Sequence, residues 1–281
     1  MRKLKKPEDL PKDVFNTCIS NMRENDLKRR LRLCESAIVD ASIEFDLKAS
    51  NAMLHTIAIS NNVAGEVSVA EMENVYTQKM VPQDSPGRII YDKLISAPDF
   101  GRCPLCGQRI VSTLDHHLPK ARYPALAVTP FNLVPSCQDC NKTKLAMTPI
   151  KSEEETLHPY YDNIEGDYWL YCRVVENNPV SLLYFVDPPG NWSEILRIRI
   201  ENHFNVFHLA ELYSTYAAEE LANIYFSLQN LNQNKGENGV RNHLYEEAVS
   251  RARSLKNSWQ TAMYRALANS DWFCTGGFNS I

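Results

Sequence analysis

Four cysteines in two Cys-x-x-Cys pairs are the clearest chemical signal in the chain. Cys103 and Cys106 form the first pair, Cys137 and Cys140 form the second, and 30 residues separate the pairs. Four thiolates hold zinc tetrahedrally and leave no coordination position open for a substrate. Each Cys-x-x-Cys pair is expected to form a tight turn, called a knuckle, and Gly107 directly after Cys106 suits such a turn. The spacing therefore predicts a structural zinc site rather than a catalytic one.

Polar residues cluster in the segment that the two pairs enclose. Asp115, His116 and His117 follow a strand-like run, and Asn132 precedes a second one. Asn141 directly follows the last cysteine, where a helix is expected to begin. The pattern predicts a strand, a loop, a second strand and a helix, closed by zinc.

The order CxxC…DHxxP…NLxxxCxxCNxxK resembles the HNH endonucleases, the zinc-bearing branch of the ββα-metal nucleases. The resemblance covers about 45 of the 281 residues. The positions that agree in type and order are Cys103, Cys106, Asp115, His116, Pro119, Asn132, Leu133, Cys137, Cys140, Asn141 and Lys144.

The resemblance implies a role for each polar residue of the segment. His116 would be the general base, and Asn132 would orient the loop that holds it. Asp115 and Asn141 would be oxygen ligands of one hard cation, Mg²⁺ or Mn²⁺. The implied reaction is hydrolysis of a phosphodiester bond to a 5′-phosphate and a 3′-hydroxyl. DNA is the expected substrate, with RNA such as tRNA as the alternative.

His117 leaves the register of this site open. In a colicin-like branch of the family, the first of two adjacent histidines binds metal and the second is the base. That register would make His116 the ligand and His117 the base. The Asp-His-x-x-Pro framing and Asn141 favour His116 as the base, and strand alternation then turns His117 away from the site.

Two further residues are weaker candidates. Asp139 lies two residues before Asn141 and is a candidate for the metal shell. His158 follows the site closely and has two interpretations, a group that reaches back to the site or a ring packed between Tyr160 and Tyr161.

Positive charge is concentrated around the same segment. Residues 102–151 hold seven basic and two acidic residues, a net charge of +5, whereas the rest of the chain carries −9. Such an island suits local contact with phosphate, although short loops also collect lysine. The candidates for contacting nucleic acid are Lys120, Arg122, Lys142 and Lys144.

Composition places the chain among soluble globular proteins. It is 44% hydrophobic and 23% charged. No apolar run approaches the ~18 residues that span a bilayer. The start, MRKLKKPEDLPKD, lacks the apolar core of a signal peptide. We expect a cytoplasmic protein without a membrane partner.

Periodicity outside the cysteine segment predicts a mainly α (α+β) chain in three regions. Residues 1–98 form a helical N-terminal region, 99–150 form the zinc-bound ββα-metal core, and 151–281 form a C-terminal region with a β-hairpin and then helices. The helical flanks therefore surround an inserted core.

Several element boundaries follow from local patterns. Residues 1–10 are expected to be a tether, and one helix is expected over Asp26–Ala49. Ser68 with a glutamate three residues on predicts an N-cap. Asn232–Gly239 is expected to be a polar linker, and Val240–Ala268 one long helix.

A small HNH site within a larger helical chain is similar to nuclease subunits of bacterial anti-phage systems, above all Septu-type and retron-associated nucleases. This resemblance implies an SMC- or ABC-like ATPase partner docked by the helical regions, and retron components where the system has them.

A zinc-ribbon module that binds nucleic acid or a partner without doing chemistry is the alternative function. A ribbon needs only its cysteines. The additional presence of Asp115, His116, Asn132 and Asn141 in order favours the nuclease.

Overall fold

Helices dominate the chain, and the strands occur only in small antiparallel pairs. The computed structural model describes residues 1–144 and 147–281, so residues 145–146 of the predicted core lie outside the described residues. Within those ranges, ten α-helices accompany three two-stranded antiparallel sheets, which confirms the mainly α (α+β) class. None of the described helices has the length and apolarity that crossing a bilayer requires. The chain divides into two compact units, Met1–Asn163 and Ile164–Ile281.

The first unit opens with helices that enclose an apolar core. Phe15, Leu31 and Met72 are fully buried in it. The capping box predicted at Ser68 and Glu71 is present. In chain order, these elements are α1 (Pro11–Ile19), α2 (Asp26–Leu33), α3 (Glu35–Ala49), β1 (Asn62–Val63), β2 (Val67–Ser68), α4 (Val69–Lys79) and α5 (Arg88–Ile95).

The helix predicted over Asp26–Ala49 is broken at Cys34. Its N–H donates to the carbonyl of Leu31 at 3.0 Å. This bond spans three residues, as in a 3₁₀-helix, and closes a tighter turn than the four-residue bond of an α-helix. Its buried Sγ lies 3.4 Å from the carbonyl oxygen of Val63. The break therefore lies where the chain contacts the β1 strand, which local periodicity does not reveal.

Residues 1–10 are packed within the first unit, contrary to the expectation of a tether. Leu4 is buried. The Arg2 N–H donates to the Pro104 carbonyl at 2.8 Å, and the Leu4 N–H donates to the Pro159 carbonyl at 2.9 Å. These bonds hold the segment beside the first cysteine knuckle.

A hairpin and a short helix follow in the predicted order. Strand β3 (Thr113–His116) pairs antiparallel with β4 (Leu133–Ser136), and helix α6 (Gln138–Lys144) comes directly after. Leu114 and Leu133 are buried in the same core as the N-terminal helices. The helical region therefore supports the hairpin through its apolar side chains.

The second unit packs a hairpin onto helices. Strands β5 (Leu170–Val175) and β6 (Ser181–Val186) pair antiparallel. Leu182 and Tyr184 are the buried residues of β6, and the Tyr184 hydroxyl donates to the Trp259 carbonyl at 3.0 Å. The helices are α7 (Glu194–Val206), α8 (Leu209–Ser254), α9 (Trp259–Asn269) and α10 (Asp271–Cys274).

The C-terminal helices differ from the predicted boundaries. The expected linker is helical except at Gly236, where φ is 64° and ψ is −169°, so α8 has an interruption of one residue. The helix expected over Val240–Ala268 stops at Ser254. Asn257 occupies the gap and accepts hydrogen bonds from the Trp169 and Leu170 N–H groups at 2.9 and 3.2 Å.

Candidate functional site

The four paired cysteines meet in space. All are buried, and their Sγ atoms lie within 4.8 Å of one another. Four soft sulfur donors at this separation suit a tetrahedral zinc ion. The predicted metal site is therefore supported as a four-cysteine centre.

Local backbone geometry shapes both knuckles around sulfur. The Arg109 N–H donates to Cys106 Sγ, and the Cys140 N–H donates to Cys137 Sγ, both at 3.4 Å. Gly107 has a φ of 69°. That backbone conformation is strained for residues other than glycine, so the turn requires glycine at position 107. Amide-to-sulfur bonds also stabilise thiolate, the form that binds metal.

An open groove of about 300 Å³ lies beside the hairpin. It is lined by Asp115, His116, Pro119, Lys120, Ala121, Asn141 and Lys142. The structure thus brings together the predicted base, both predicted oxygen ligands and two of the predicted phosphate contacts. The residues come from β3, the following loop and α6.

His116 is fixed by its ring nitrogen. Nε2 lies 2.8 Å from the Ala127 carbonyl oxygen, so Nε2 is the donor and Nδ1 is left as the acceptor. The Tyr76 ring contacts the imidazole edge to face, 4.5 Å between centroids. Burial lowers the pKa of His116 to about 3, and Lys120 and Lys144 add to the effect. The imidazole is therefore neutral at pH 7.

Asn132 fixes the loop that follows His116. Its side chain is fully buried. Oδ1 accepts from the Leu118 N–H at 2.7 Å, and Nδ2 donates to the carbonyls of Leu118 and Leu126 at 2.9 and 3.2 Å. The Asn132 carbonyl accepts from the His117 N–H at 2.8 Å. Asn132 therefore positions the loop and does not line the groove.

Asp115 is a buried carboxylate beside a buried lysine. Lys144 Nζ donates to the His116 carbonyl at 2.7 Å and lies 3.0 Å from Asp115 Oδ2. The second contact is an ion pair between two buried groups. Burial raises the pKa of Asp115, and Lys144 opposes this.

Lys144 therefore differs from the role expected of it. Its side chain is only 4% exposed, so it does not present its charge to an outside phosphate. Instead, it ties the end of α6 to the backbone and carboxylate of β3. Its sequence position beside Lys142 gives no sign of this burial.

The oxygen donors of the groove suit a second, hard cation. Asp115 offers a carboxylate and Asn141 an amide oxygen, the ligand types that Mg²⁺ and Mn²⁺ prefer. Burial raises the pKa of Asp115 although Lys144 lies beside it.

His117 and His158 lie together away from the groove lining. Both are buried, and their rings are 4.2 Å apart between centroids. His158 Nε2 lies 3.1 Å from the Phe131 carbonyl, and Nδ1 accepts from the Tyr160 N–H at 3.3 Å. The ring also contacts Tyr161, 4.8 Å between centroids. The pair therefore occupies an aromatic cluster.

The remaining predicted residues are spread around the groove. Asp139 pairs with Arg109 of the first knuckle, Oδ2 to Nε 2.8 Å, and is not among the groove's lining residues. Lys120 lies 3.3 Å from Glu73 at the groove edge. Arg122 and Lys142 are exposed, and only Lys142 lines the groove. Glu73, Tyr76 and Ala127 contact the site without any signal in the sequence.

Comparison with known proteins gives one full-length similarity. Protein ea31 of Escherichia phage lambda is 25% identical over 296 residues, which cover 98% of this chain and 100% of that protein. No family model matches the chain, and no solved structure matches it. The similarity spans both compact units. The relative's name states no activity, so inference of function depends on the site.

Proposed function

We propose that this chain is a metal-dependent HNH endonuclease that hydrolyses phosphodiester bonds, with DNA as the expected substrate. The observation behind the proposal is the groove in which Asp115, His116 and Asn141 converge. The ring orientation of His116 also supports the proposal, because Nε2–H donates to the Ala127 carbonyl and Nδ1 is left as the acceptor.

The residues divide the work of hydrolysis. Neutral His116 accepts the proton of the attacking water at Nδ1. Asn132 holds the loop so that the ring keeps its position. Lys120 and Lys142 contact the phosphates beside the cut bond. Asp115 and Asn141 would hold Mg²⁺ or Mn²⁺, which when bound acts as a Lewis acid on the phosphate.

The zinc centre has a structural role in this proposal. Four sulfur ligands fill the coordination shell, so the metal has no position for water or phosphate. The centre joins the segment before β3 to the start of α6, which bears Asn141.

A comparison of His116→Ala with His117→Ala tests the proposal. We expect His116→Ala to lose cleavage by at least about 100-fold, while its zinc content and melting temperature stay near wild type. His117→Ala removes a ring outside the groove, so its folded, zinc-loaded fraction should still cut. The assay uses single- and double-stranded DNA and RNA with Mg²⁺ or Mn²⁺. Equal cleavage by His116→Ala and wild type would sink the assignment.

A non-catalytic zinc module is the second candidate, and the Asp115–Lys144 pair favours it. A carboxylate already paired with a buried ammonium has less need of a metal. Under this alternative, the wild-type protein binds nucleic acid in the presence of Mg²⁺ or Mn²⁺ but does not cleave it.

The proposed setting is an anti-phage effector in the cytoplasm, with an SMC- or ABC-like ATPase partner. Phe226 and Tyr245 of α8 are 75% and 63% exposed, as aromatic side chains of an interface would be before docking. Co-purification from the native host tests this. Recovery of the chain without an ATPase, together with unregulated cleavage, would remove the partner from the proposal.

A further inference from the structure

The β5–β6 hairpin presents aromatic rings on its outer side. Tyr171 and Phe185 are direct cross-strand partners in the register. Their rings are stacked, 5.9 Å between centroids at an interplanar angle of 21°. Phe185 is 42% exposed. Tyr171 is half-buried. The exposed part of the pair costs hydration free energy, and it offers a flat face on which another ring can stack.

Two arginines border these rings. The Arg265 guanidinium lies 3.8 Å from the Tyr168 ring centroid and 5.3 Å from that of Tyr171. Arg173 is exposed on the strand that holds Tyr171. In the described parts of the chain, neither guanidinium has a carboxylate partner, and Arg265 Nη1 has no hydrogen-bond acceptor. Their charge is therefore not compensated locally.

The rings and the arginines line one open groove of about 440 Å³ between β5 and α9. Its lining residues are Tyr171, Cys172, Arg173, Val174, Phe185, Ala262, Arg265, Ala266, Asn269 and Ser270. No described acidic residue is among them. The volume lies within the roughly 300–1,000 Å³ typical of ligand sites. The groove thus combines stacking faces with positive charge.

We propose that this groove of the second unit binds single-stranded nucleic acid. Unpaired bases would stack on Tyr171 and Phe185, while Arg173 and Arg265 meet the phosphates. A duplex keeps its base faces covered and would gain only the charge contacts. The site goes beyond the proposed cleavage reaction, because none of its residues lies in the Asp115–His116 groove.

Fluorescence anisotropy with the full chain and a labelled dT₁₂ oligonucleotide tests the site. No divalent cation is added, and a gel confirms that the probe stays intact. We expect Phe185→Ala to weaken binding by about tenfold or more through lost stacking. Arg173→Gln should weaken it and reduce the slope of log K against log[salt] by about 0.7. Both side chains are exposed, so melting temperatures should stay near wild type.

Matched controls are Ile195→Ala and Arg197→Gln, which remove an exposed apolar side chain and an exposed charge of the same unit outside the groove. Both should bind like wild type. Unlabelled dT₁₂ should compete far better than a duplex of equal length or a polyglutamate peptide. Equal competition by either, an absence of binding by wild type, or equal losses in the controls would overturn the proposal. Because cleavage is not measured, failure of the nuclease assignment gives a different result.

Discussion

His116 and His117 are adjacent in the sequence but have different surroundings. His116 lines the open groove and contacts the Ala127 carbonyl, whereas His117 is buried against His158. Sequence spacing gave the residue types of the site and left the register open. The neighbours that separate the two rings, such as Ala127 and His158, come from distant segments without a motif. The residue types of the site were therefore predictable from the sequence. The role of each histidine was not, because it depends on neighbours that only the fold brings together.

Lys144→Met is expected to destabilise the first unit. The variant leaves the Asp115 carboxylate buried without its cation, a change that typically costs about 3–5 kcal/mol. Mg²⁺ or Mn²⁺ should recover part of this loss, because a divalent cation replaces the missing charge. Thermal unfolding with and without the metal measures the effect.

Lys142→Met is the matched control for this experiment. Its side chain is exposed on the same helix, so its melting temperature should stay close to wild type. The metal-induced rise should be larger in Lys144→Met than in wild type. Equal rises in the two proteins would show that the cation does not replace the charge of Lys144 at Asp115.

At the scale of elements, helix features set by neighbouring residues were predictable from the sequence, whereas helix breaks set by distant contacts were not. The Ser68 capping box is a contact within four residues, and the structure contains it. The breaks at Cys34 and Asn257 depend on partners 29 and 88 residues away, the Val63 carbonyl and the Trp169 N–H. A periodic apolar pattern continues through both positions because it reports the buried face and not these contacts.

Asn257→Ala is expected to lower the stability of the second unit by about 2–4 kcal/mol. The change leaves the Trp169 and Leu170 N–H groups without their acceptor in a buried setting. Urea unfolding followed by tryptophan fluorescence measures the loss. Asn234→Ala, an exposed site on α8, should change the midpoint little. Similar midpoints in both variants would contradict this account of the break.

At the scale of the molecule, the four-cysteine centre belongs to one compact unit. All four cysteines lie within Met1–Asn163. The similarity to the phage protein spans both units, so the second is part of the shared chain and not an addition. Two short sequence motifs predicted the centre. The boundary between Asn163 and Ile164 was not predicted, because no change in amino-acid composition marks it.

Zinc removal should therefore act on the first unit. Zinc binding is coupled to folding where the ligands form part of the core, so a strong chelator should unfold the segment around the knuckles. Hydrogen exchange should rise across residues 102–141 and stay near its original level in 164–281. Zinc release is followed in parallel with a colorimetric dye. Equal loss of protection in both units would refute this division.

The bonds of Asn132 have a consequence for how this groove can change. Among the described residues, its side-chain hydrogen bonds all join main-chain atoms of Leu118 and Leu126, so these bonds do not depend on which side chains the loop carries. Lys120 and Ala121 face the groove from that loop. Substitutions at Ala121 should alter the wall of the groove without moving the ring of His116. The loop is thus a natural position for selection, or for a library, to change substrate preference while the proposed chemistry stays in place.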